Sequence, residues 1–213
     1  MRLKHGRIEL ELHELKTGTG PALLLLHALF GSSGDWGEAP AAWPGPVYAL
    51  DFCGHGRSER LRGEAYYSEL LVGDADAALA RLRQAAVAGA GIGAYVALLL
   101  AGARPDAVTS VLLLPGAGLV GGGGEPDFEK APPRFDRAAG ASTFDPAVYV
   151  LGHDVRPPAY VAELARGVRR ILLVEDAEPR PPWWETVGAL PGARRISGDL
   201  QHGLRLLAEE PSR

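Results

Sequence analysis

The apolar residues near the start of the chain follow two different patterns, each typical of a strand. Ile8, Leu10, Leu12 and Leu15 nearly alternate with polar residues, which predicts a half-buried antiparallel strand. Residues 22–26 are instead continuously apolar, and such a run is typical of a strand that is buried on both faces. The second strand is therefore expected inside a sheet.

Further along the chain, short apolar runs alternate with segments of helical periodicity. Helices are predicted over about 67–83 and 92–103 and, more briefly, after Pro182. Buried strands are predicted over 47–50, 85–88, 108–114 and 171–174. Strands that alternate with helices form a parallel sheet covered on both faces, so the fold class is predicted as α/β, a three-layer α/β/α sandwich with a mostly parallel sheet.

One segment interrupts this alternation. Residues 116–158 contain four consecutive glycines, 121–124, and several prolines, so we expect an excursion from the sheet edge that forms a short lid or a mobile loop. The whole chain of 213 residues has the length of one domain of ordinary size, which predicts a single domain over 1–213 that includes this excursion.

Composition and charge exclude several classes of protein. Apolar residues make up 46% of the chain and charged residues 23%, a balance that excludes disorder for the bulk of it. A net charge of −4 without a basic stripe argues against nucleic acid as a partner. The single cysteine, Cys53, cannot form an internal disulfide, and no Cys/His spacing predicts a metal site. Without a membrane-length apolar run or a leader pattern, we expect a cytoplasmic protein.

Two glycine-containing turns resemble motifs of the α/β-hydrolase superfamily. Residues 27–32, His-Ala-Leu-Phe-Gly-Ser, are similar to that family's His-Gly-x-x-Gly-Ser turn, and residues 51–58 match its Asp-x-x-Gly-His-Gly-x-Ser turn. The resemblance implies an α/β-hydrolase fold with a reduced lid. It also implies that the Leu29 N–H belongs to an oxyanion hole, and that Cys53 and His55 are parts of the scaffold.

The nucleophile of the family is absent from this chain. Residues 89–93 read Gly-Ala-Gly-Ile-Gly where the family has Gly-x-Ser-x-Gly, so Gly91 takes the position of the serine and Ile92 supplies the second oxyanion N–H. The family's elbow holds this residue at positive φ, which glycine tolerates, so we expect the turn to survive without covalent chemistry.

The same glycines permit two other interpretations. They are consistent with a plain tight turn that packs helix on strand. Residues 87–94 are also similar to the dinucleotide fingerprint Gly-x-Gly-x-x-Gly/Ala, but the next predicted strand ends Leu-Leu-Leu-Pro, without the carboxylate that would hold a ribose. No cofactor is therefore expected, and dinucleotide binding is kept as an alternative.

Candidates for the acid and the base follow in the family's order. Glu178 aligns with the triad acid, with Asp176 as an alternative, although an acidic cluster at a strand end explains both equally well. His202 resembles the family's terminal histidine but lies one residue further from the preceding glycine. The simpler interpretation is that His202 is a solvent-exposed surface residue, in which case His153 is the alternative candidate for the base.

Aromatic residues are candidates for the walls of a substrate pocket, above all Tyr95 and Trp183, although most aromatics are core residues. The resemblance leads to one main hypothesis. A His–Glu pair acts as a general base on a small ester, lactone or acidic C–H substrate. The alternative is a non-catalytic protein that binds a small molecule or another protein. The sequence leaves the substrate and the oligomeric state open.

Overall fold

The computed structural model describes residues 1–61, 65–116, 144–153, 156–175 and 180–209. Within these residues the chain forms eight strands, all in one sheet. The strands are β1 (Arg2–His5), β2 (Ile8–Lys16), β3 (Leu23–Leu26), β4 (Val47–Asp51), β5 (Ala85–Ala90), β6 (Val108–Leu114), β7 (Ile171–Val174) and β8 (Ala193–Ile196). The predicted strand bounds over 108–114 and 171–174 are confirmed.

The sheet has the order β1-β2-β4-β3-β5-β6-β7-β8. The pairings of β1 with β2 and of β2 with β4 are antiparallel, and all pairings from β4 to β8 are parallel. The end of β3 is the centre of this arrangement, because Leu26 pairs with Leu50 of β4 on one side and with Gly89 of β5 on the other. The turns that follow β3, β4 and β5 therefore leave the sheet side by side at its carboxyl edge.

Five α-helices cover the sheet in the described part of the chain. They are α1 (Ser68–Leu82), α2 (Ile92–Ala103), α3 (Pro158–Ala165), α4 (Trp183–Gly188) and α5 (Leu200–Ala208). The first four pack on one face and α5 packs on the other, beside a 3₁₀ helix over Ala39–Ala42. A hydrophobic core lies on each face of the sheet, and β3 contributes to both. Leu24 and Leu26 belong to the core under α1–α4, and Leu23 and Leu25 to the core under α5. The predicted three-layer sandwich is confirmed.

The hydrophobic patterns did not predict the two strands at the edges of the sheet, β1 and β8. The edge strand β8 has no apolar alternation, because Arg194 and Arg195 are exposed to solvent, and the four residues of β1 are similarly mixed. Part of the predicted excursion, residues 117–143, lies outside the described residues. Its described end is ordered as a 3₁₀ helix over Pro146–His153, which is followed by the unpredicted helix α3. No described helix combines the length and the hydropathy that a membrane crossing requires.

Candidate functional site

A close approach of helix α2 to the end of β3 brings two of the three turns together. A Cβ atom on Gly93 would overlap the carbonyl oxygen of Leu26 and would lie 2.6 Å from that of His27. No larger residue fits this position without a backbone shift. Glycine at 93 therefore lets the first turn of α2 rest directly on the turn that carries Leu29.

The link between β5 and α2 is a one-residue elbow at Gly91. Strand β5 ends at Ala90, α2 begins at Ile92, and Gly91 between them has φ 53° and ψ −118°. Any residue with a side chain is strained in this region of backbone space. The predicted positive φ is confirmed, and no side chain projects from the tip of the elbow.

The chain that leaves β6 passes directly against this elbow. The Gly91 N–H donates a hydrogen bond to the Leu114 carbonyl oxygen at 3.1 Å. Two residues later, a Cβ atom on Gly116 would lie 2.9 Å from the Gly91 nitrogen. The end of β6 thus forms one wall beside the position that a nucleophile would occupy.

The turn after β3 holds an unusual backbone conformation. Phe30 has φ 67°, which is rare for a residue with a side chain and indicates local strain. Its N–H donates a hydrogen bond to His55 Nε2 at 3.4 Å, so this amide already has an acceptor. Within the described residues, the N–H groups of Leu29 and Ile92 have no hydrogen-bond acceptor. Both N–H groups belong to buried residues.

Two buried histidines join the turns after β3 and β4, and we call this pair the histidine clasp. His27, from the first turn, accepts a hydrogen bond from the Phe52 N–H at 3.2 Å. His55, from the second turn, accepts from the Phe30 N–H in return, and its Nδ1 lies 3.2 Å from the Cys53 carbonyl oxygen. The two ring centroids are 4.9 Å apart. Each turn is thus held by a ring of the other.

The clasp depends on neutral rings. Burial lowers the pKa of His27 below its ordinary value. Burial, together with the neighbouring His27, lowers the pKa of His55 to about 3. A neutral imidazole can accept at Nε2 while it donates from Nδ1, and a protonated ring has no acceptor left. Both Nε2 atoms therefore remain acceptors at neutral pH.

Asp51 fixes the base of the second turn. Its buried carboxylate accepts hydrogen bonds from the N–H groups of Ser33 (2.7 Å) and Arg57 (2.9 Å), and from His13 Nε2 (3.0 Å). Burial opposes ionisation, but these hydrogen bonds outweigh it and hold the pKa of Asp51 below its ordinary value. Asp51 thus anchors both turns as an ionised group.

The neighbouring Cys53 is equally well fixed. Its N–H donates to Asp74 of α1 at 2.9 Å, and burial raises the pKa of its thiol. A buried thiol with a raised pKa is a poor nucleophile. The contacts of Cys53, like those of His55, are those of a scaffold.

An open groove of about 760 Å³ lies beside the elbow, at the carboxyl ends of β6 and β7. It is lined by Leu114, Pro115, Val174, Leu200, His202 and Arg205, together with Gly198 and Asp199. The Leu114 that accepts the Gly91 N–H therefore belongs to the groove wall. A crevice at the carboxyl ends of parallel strands is where ligands bind in open α/β sheets.

His202 stands on the first turn of α5 and is exposed to solvent. Its backbone N–H donates to the Asp199 carboxylate, which caps the helix at 2.8 Å. No side chain of the described residues forms a hydrogen bond with its ring. The structure thus brings His202 to the groove next to the elbow, but shows no contact between its ring and Gly91.

Solved structures of very different sequence share this architecture. The chain matches the thioesterase domain of a curacin biosynthetic pathway with a TM-score of 0.74 and 17% identity, over 98% of this chain and 96% of that one. It matches Est816, an N-acyl homoserine lactone degrading enzyme, with a TM-score of 0.71 and 20% identity, over 96% and 95%. The bottromycin epimerase BotH gives a TM-score of 0.65 and 17% identity, over 98% and 97%.

The protein has the α/β-hydrolase fold. No protein-family model and no curated protein matches the chain. At the elbow before α2, which aligns with the motif Gly-x-Ser-x-Gly, this chain has glycine at the central position, Gly91.

The acid of an α/β-hydrolase site would follow β7. Glu178 and the alternative Asp176 lie outside the described residues, as does the side chain of the fallback base, His153. The described carboxylate at this place is Glu175, which accepts hydrogen bonds from Arg180 (2.8 Å), Trp184 (3.2 Å) and Arg195 (3.3 Å). Glu175 is thus already paired with two cations, Arg180 just before α4 and Arg195 on β8.

The aromatic candidates of the α/β-hydrolase pocket lie in the core. Tyr95 and Trp183 are each about 1% exposed, and their ring centroids pack 5.7 Å apart in an edge arrangement. Both side chains are thus buried, and their role as walls of a substrate pocket stays a prediction.

Arg205 is the groove residue that sequence reasoning missed. It follows His202 by three positions on α5, and residues three apart on a helix lie on the same side. That spacing from a candidate base was the available signal. Within the described residues, no set of three His, Cys, Asp or Glu side chains is arranged to hold a metal ion.

Proposed function

We propose that the protein is a cofactor-independent enzyme of the α/β-hydrolase fold that acts on a small carbonyl compound without a covalent intermediate. The observation that carries this proposal is the elbow at Gly91, which keeps φ 53° and ψ −118° without a side chain. The N–H groups of Leu29 and Ile92 have no acceptor among the described residues. In this proposal, Leu29 and Ile92 bind the carbonyl oxygen. His202, on the adjoining groove, is the base.

The chemistry requires a proton acceptor and a site for developing negative charge. For an ester or lactone, His202 takes a proton from water as the water oxygen attacks the carbonyl carbon, and the oxyanion forms at the Leu29 and Ile92 N–H groups. The leaving oxygen then recovers the proton from His202 as the C–O bond breaks. For an acidic C–H substrate, His202 removes the proton next to the carbonyl, and the same N–H groups bind the enolate oxygen.

Glu178 is the proposed partner of the His202 ring, with Asp176 as the alternative. A carboxylate in this position would fix the tautomer of the histidine and stabilise the imidazolium that forms. The solved relatives support both branches of the chemistry. A thioesterase and a lactone-degrading enzyme act at acyl carbonyls, and an epimerase inverts a centre instead of hydrolysing a bond.

A second candidate function is non-catalytic binding of a small molecule in the same groove. The exposure of His202 favours it, because the ring has no hydrogen-bonding side chain among the described residues to orient it. In that case the elbow and its two N–H groups remain as a binding surface after the loss of the serine.

The test is an activity panel of short acyl esters, thioesters and lactones, with deuterium uptake from heavy water as the readout for C–H substrates. The proposal predicts turnover that is lost in His202→Ala and falls as the pH is lowered, because a protonated base cannot accept a proton. Circular dichroism at each pH separates this loss from unfolding. A panel without any turnover would favour the binding function.

Covalent labelling provides the complementary test. A fluorophosphonate, which reacts with activated serines, should leave the protein unlabelled because Gly91 has no side chain. Activity that survives in His202→Ala would remove His202 as the base and direct attention to His153. Stoichiometric labelling at any serine would contradict a non-covalent mechanism altogether.

A further inference from the structure

The groove beside the elbow carries one cation that the proposed mechanism does not use. Arg205 lines the groove with His202, one helical turn away on the same side of α5. Its side chain is exposed, and its guanidinium has no hydrogen-bonding or ion-pair partner within the described residues. Other arginines at this end of the sheet are engaged, as Arg180 and Arg195 are with Glu175.

Helix α5 holds both side chains in place. At its amino end the Asp199 carboxylate accepts the His202 N–H, and at its carboxyl end Arg170 donates to the carbonyl oxygens of Leu206 and Glu209. On the inner side, Leu204 and Leu207 are buried in the core. The helix is thus fastened at both ends, and His202 and Arg205 project from a fixed support.

The rest of the groove is largely apolar. Leu114, Pro115, Val174 and Leu200 supply hydrocarbon surface at the ends of β6 and β7. Asp199 is the one carboxylate on the described lining, and one of its oxygens already accepts the His202 N–H. Arg205 is the one arginine or lysine on the described lining, and it stands beside an apolar wall.

We infer that the groove binds amphipathic carboxylates, with the carboxylate on Arg205 and the hydrocarbon body along the apolar wall. The planar guanidinium matches a carboxylate in two parallel hydrogen bonds, and about 760 Å³ is the size of a small-molecule site. This inference rests on the proposed function, because it places the reacting carbonyl or C–H of the same ligand next to His202. The substrate class is then an acid that carries a second, reactive carbonyl or acidic C–H.

The test uses octanoate as the probe and octanamide, its neutral analogue of nearly equal shape, as the reference. Calorimetric titration should show octanoate binding at least about tenfold more tightly than octanamide, the ratio that corresponds to about 1.4 kcal/mol. Arg205→Gln should reduce octanoate affinity to that of the amide. The matched control is Arg169→Gln, which removes the same charge from an exposed arginine at the opposite edge of the sheet and should change neither affinity.

Several outcomes would overturn the inference. They are equal binding of octanoate and octanamide, no binding of octanoate, and equal losses in the two arginine variants. Octyl phosphate is a further probe. If it bound more tightly than octanoate, the ligand of the groove would be a phosphate and not a carboxylate, and the inference would be overturned. The titration requires no turnover, so Arg205-dependent binding of octanoate supports the carboxylate site whether or not the protein is active on the panel, and the failure of one proposal can be told from the failure of the other.

Discussion

Replacement of His55 by glutamine should change how the stability of the protein depends on pH. In the histidine clasp, His55 Nε2 accepts the Phe30 N–H, and protonation of the ring removes that acceptor inside the core. A glutamine amide oxygen can accept the same N–H but does not titrate in this range. The variant therefore retains an acceptor for the strained turn and removes the titration.

The magnitude follows from the pKa in the two states. The folded pKa of His55 is about 3, because burial and the neighbouring His27 disfavour the charged ring. The unfolded value is about 6.5. A lowered folded pKa stabilises the protein fully above about pH 6.5, and the contribution is lost as the pH falls toward 3. At pH 5 the unfolded state has gained ~2 kcal/mol from protonation of this one ring.

Urea unfolding at pH 7.5 and at pH 5 measures this difference. Tryptophan fluorescence is a suitable probe, since Trp36, Trp43, Trp183 and Trp184 are all buried. The wild-type protein should lose about 2 kcal/mol more between the two pH values than His55→Gln does. Some acid sensitivity should remain in the variant, because burial also lowers the pKa of His27.

The matched control is His202→Gln, in which the replaced ring is exposed to water in the folded state. It should keep the pH dependence of the wild type. If His55→Gln lost as much stability on acidification as the wild type, His55 would not be a neutral buried acceptor. The clasp would then not hold the turn that carries Leu29.

The interior of the fold was more predictable than its edges. Strands buried on both faces are continuous apolar runs, and β6 and β7 begin and end where the runs do. At the edge, β8 contributes hydrogen bonds to β7 but little apolar surface, since Arg194 and Arg195 are exposed. Hydrophobic patterning detects burial and not backbone pairing, so it could not find this strand.

The site divides in the same way between local and non-local features. The elbow at Gly91 was predictable because its conformation is set by a five-residue motif between a strand and a helix. The histidine clasp was not, since it consists of reciprocal hydrogen bonds between turns some 25 residues apart.

Substitutions at three further positions, Gly91, Gly93 and His5, test the framework. Gly91→Ser and Gly91→Ala should both fold, but their free energy of unfolding in urea should be lower by ~1–3 kcal/mol, because φ 53° strains any residue with a side chain. An unchanged free energy of unfolding would show that the elbow is not strained. Gly93→Ala should be far more destabilising than Gly167→Ala. A Cβ atom at position 93 would overlap the Leu26 carbonyl oxygen, whereas a Cβ atom at position 167 meets nothing within 4 Å. Equal midpoints of urea unfolding in the two variants would refute the close approach of α2 to β3. His5→Gln should show the opposite pH dependence to His55→Gln. The Asp74 carboxylate accepts from His5 Nδ1 at 2.8 Å, and that hydrogen bond raises the pKa of His5 above 6.5. A raised folded pKa stabilises the protein fully below about pH 6.5, and this contribution disappears as the pH rises through the folded value. Urea unfolding should therefore show a larger loss for His5→Gln at pH 6 than at pH 8.5, and an equal loss at both would mean that the ring is not charged when it pairs with Asp74.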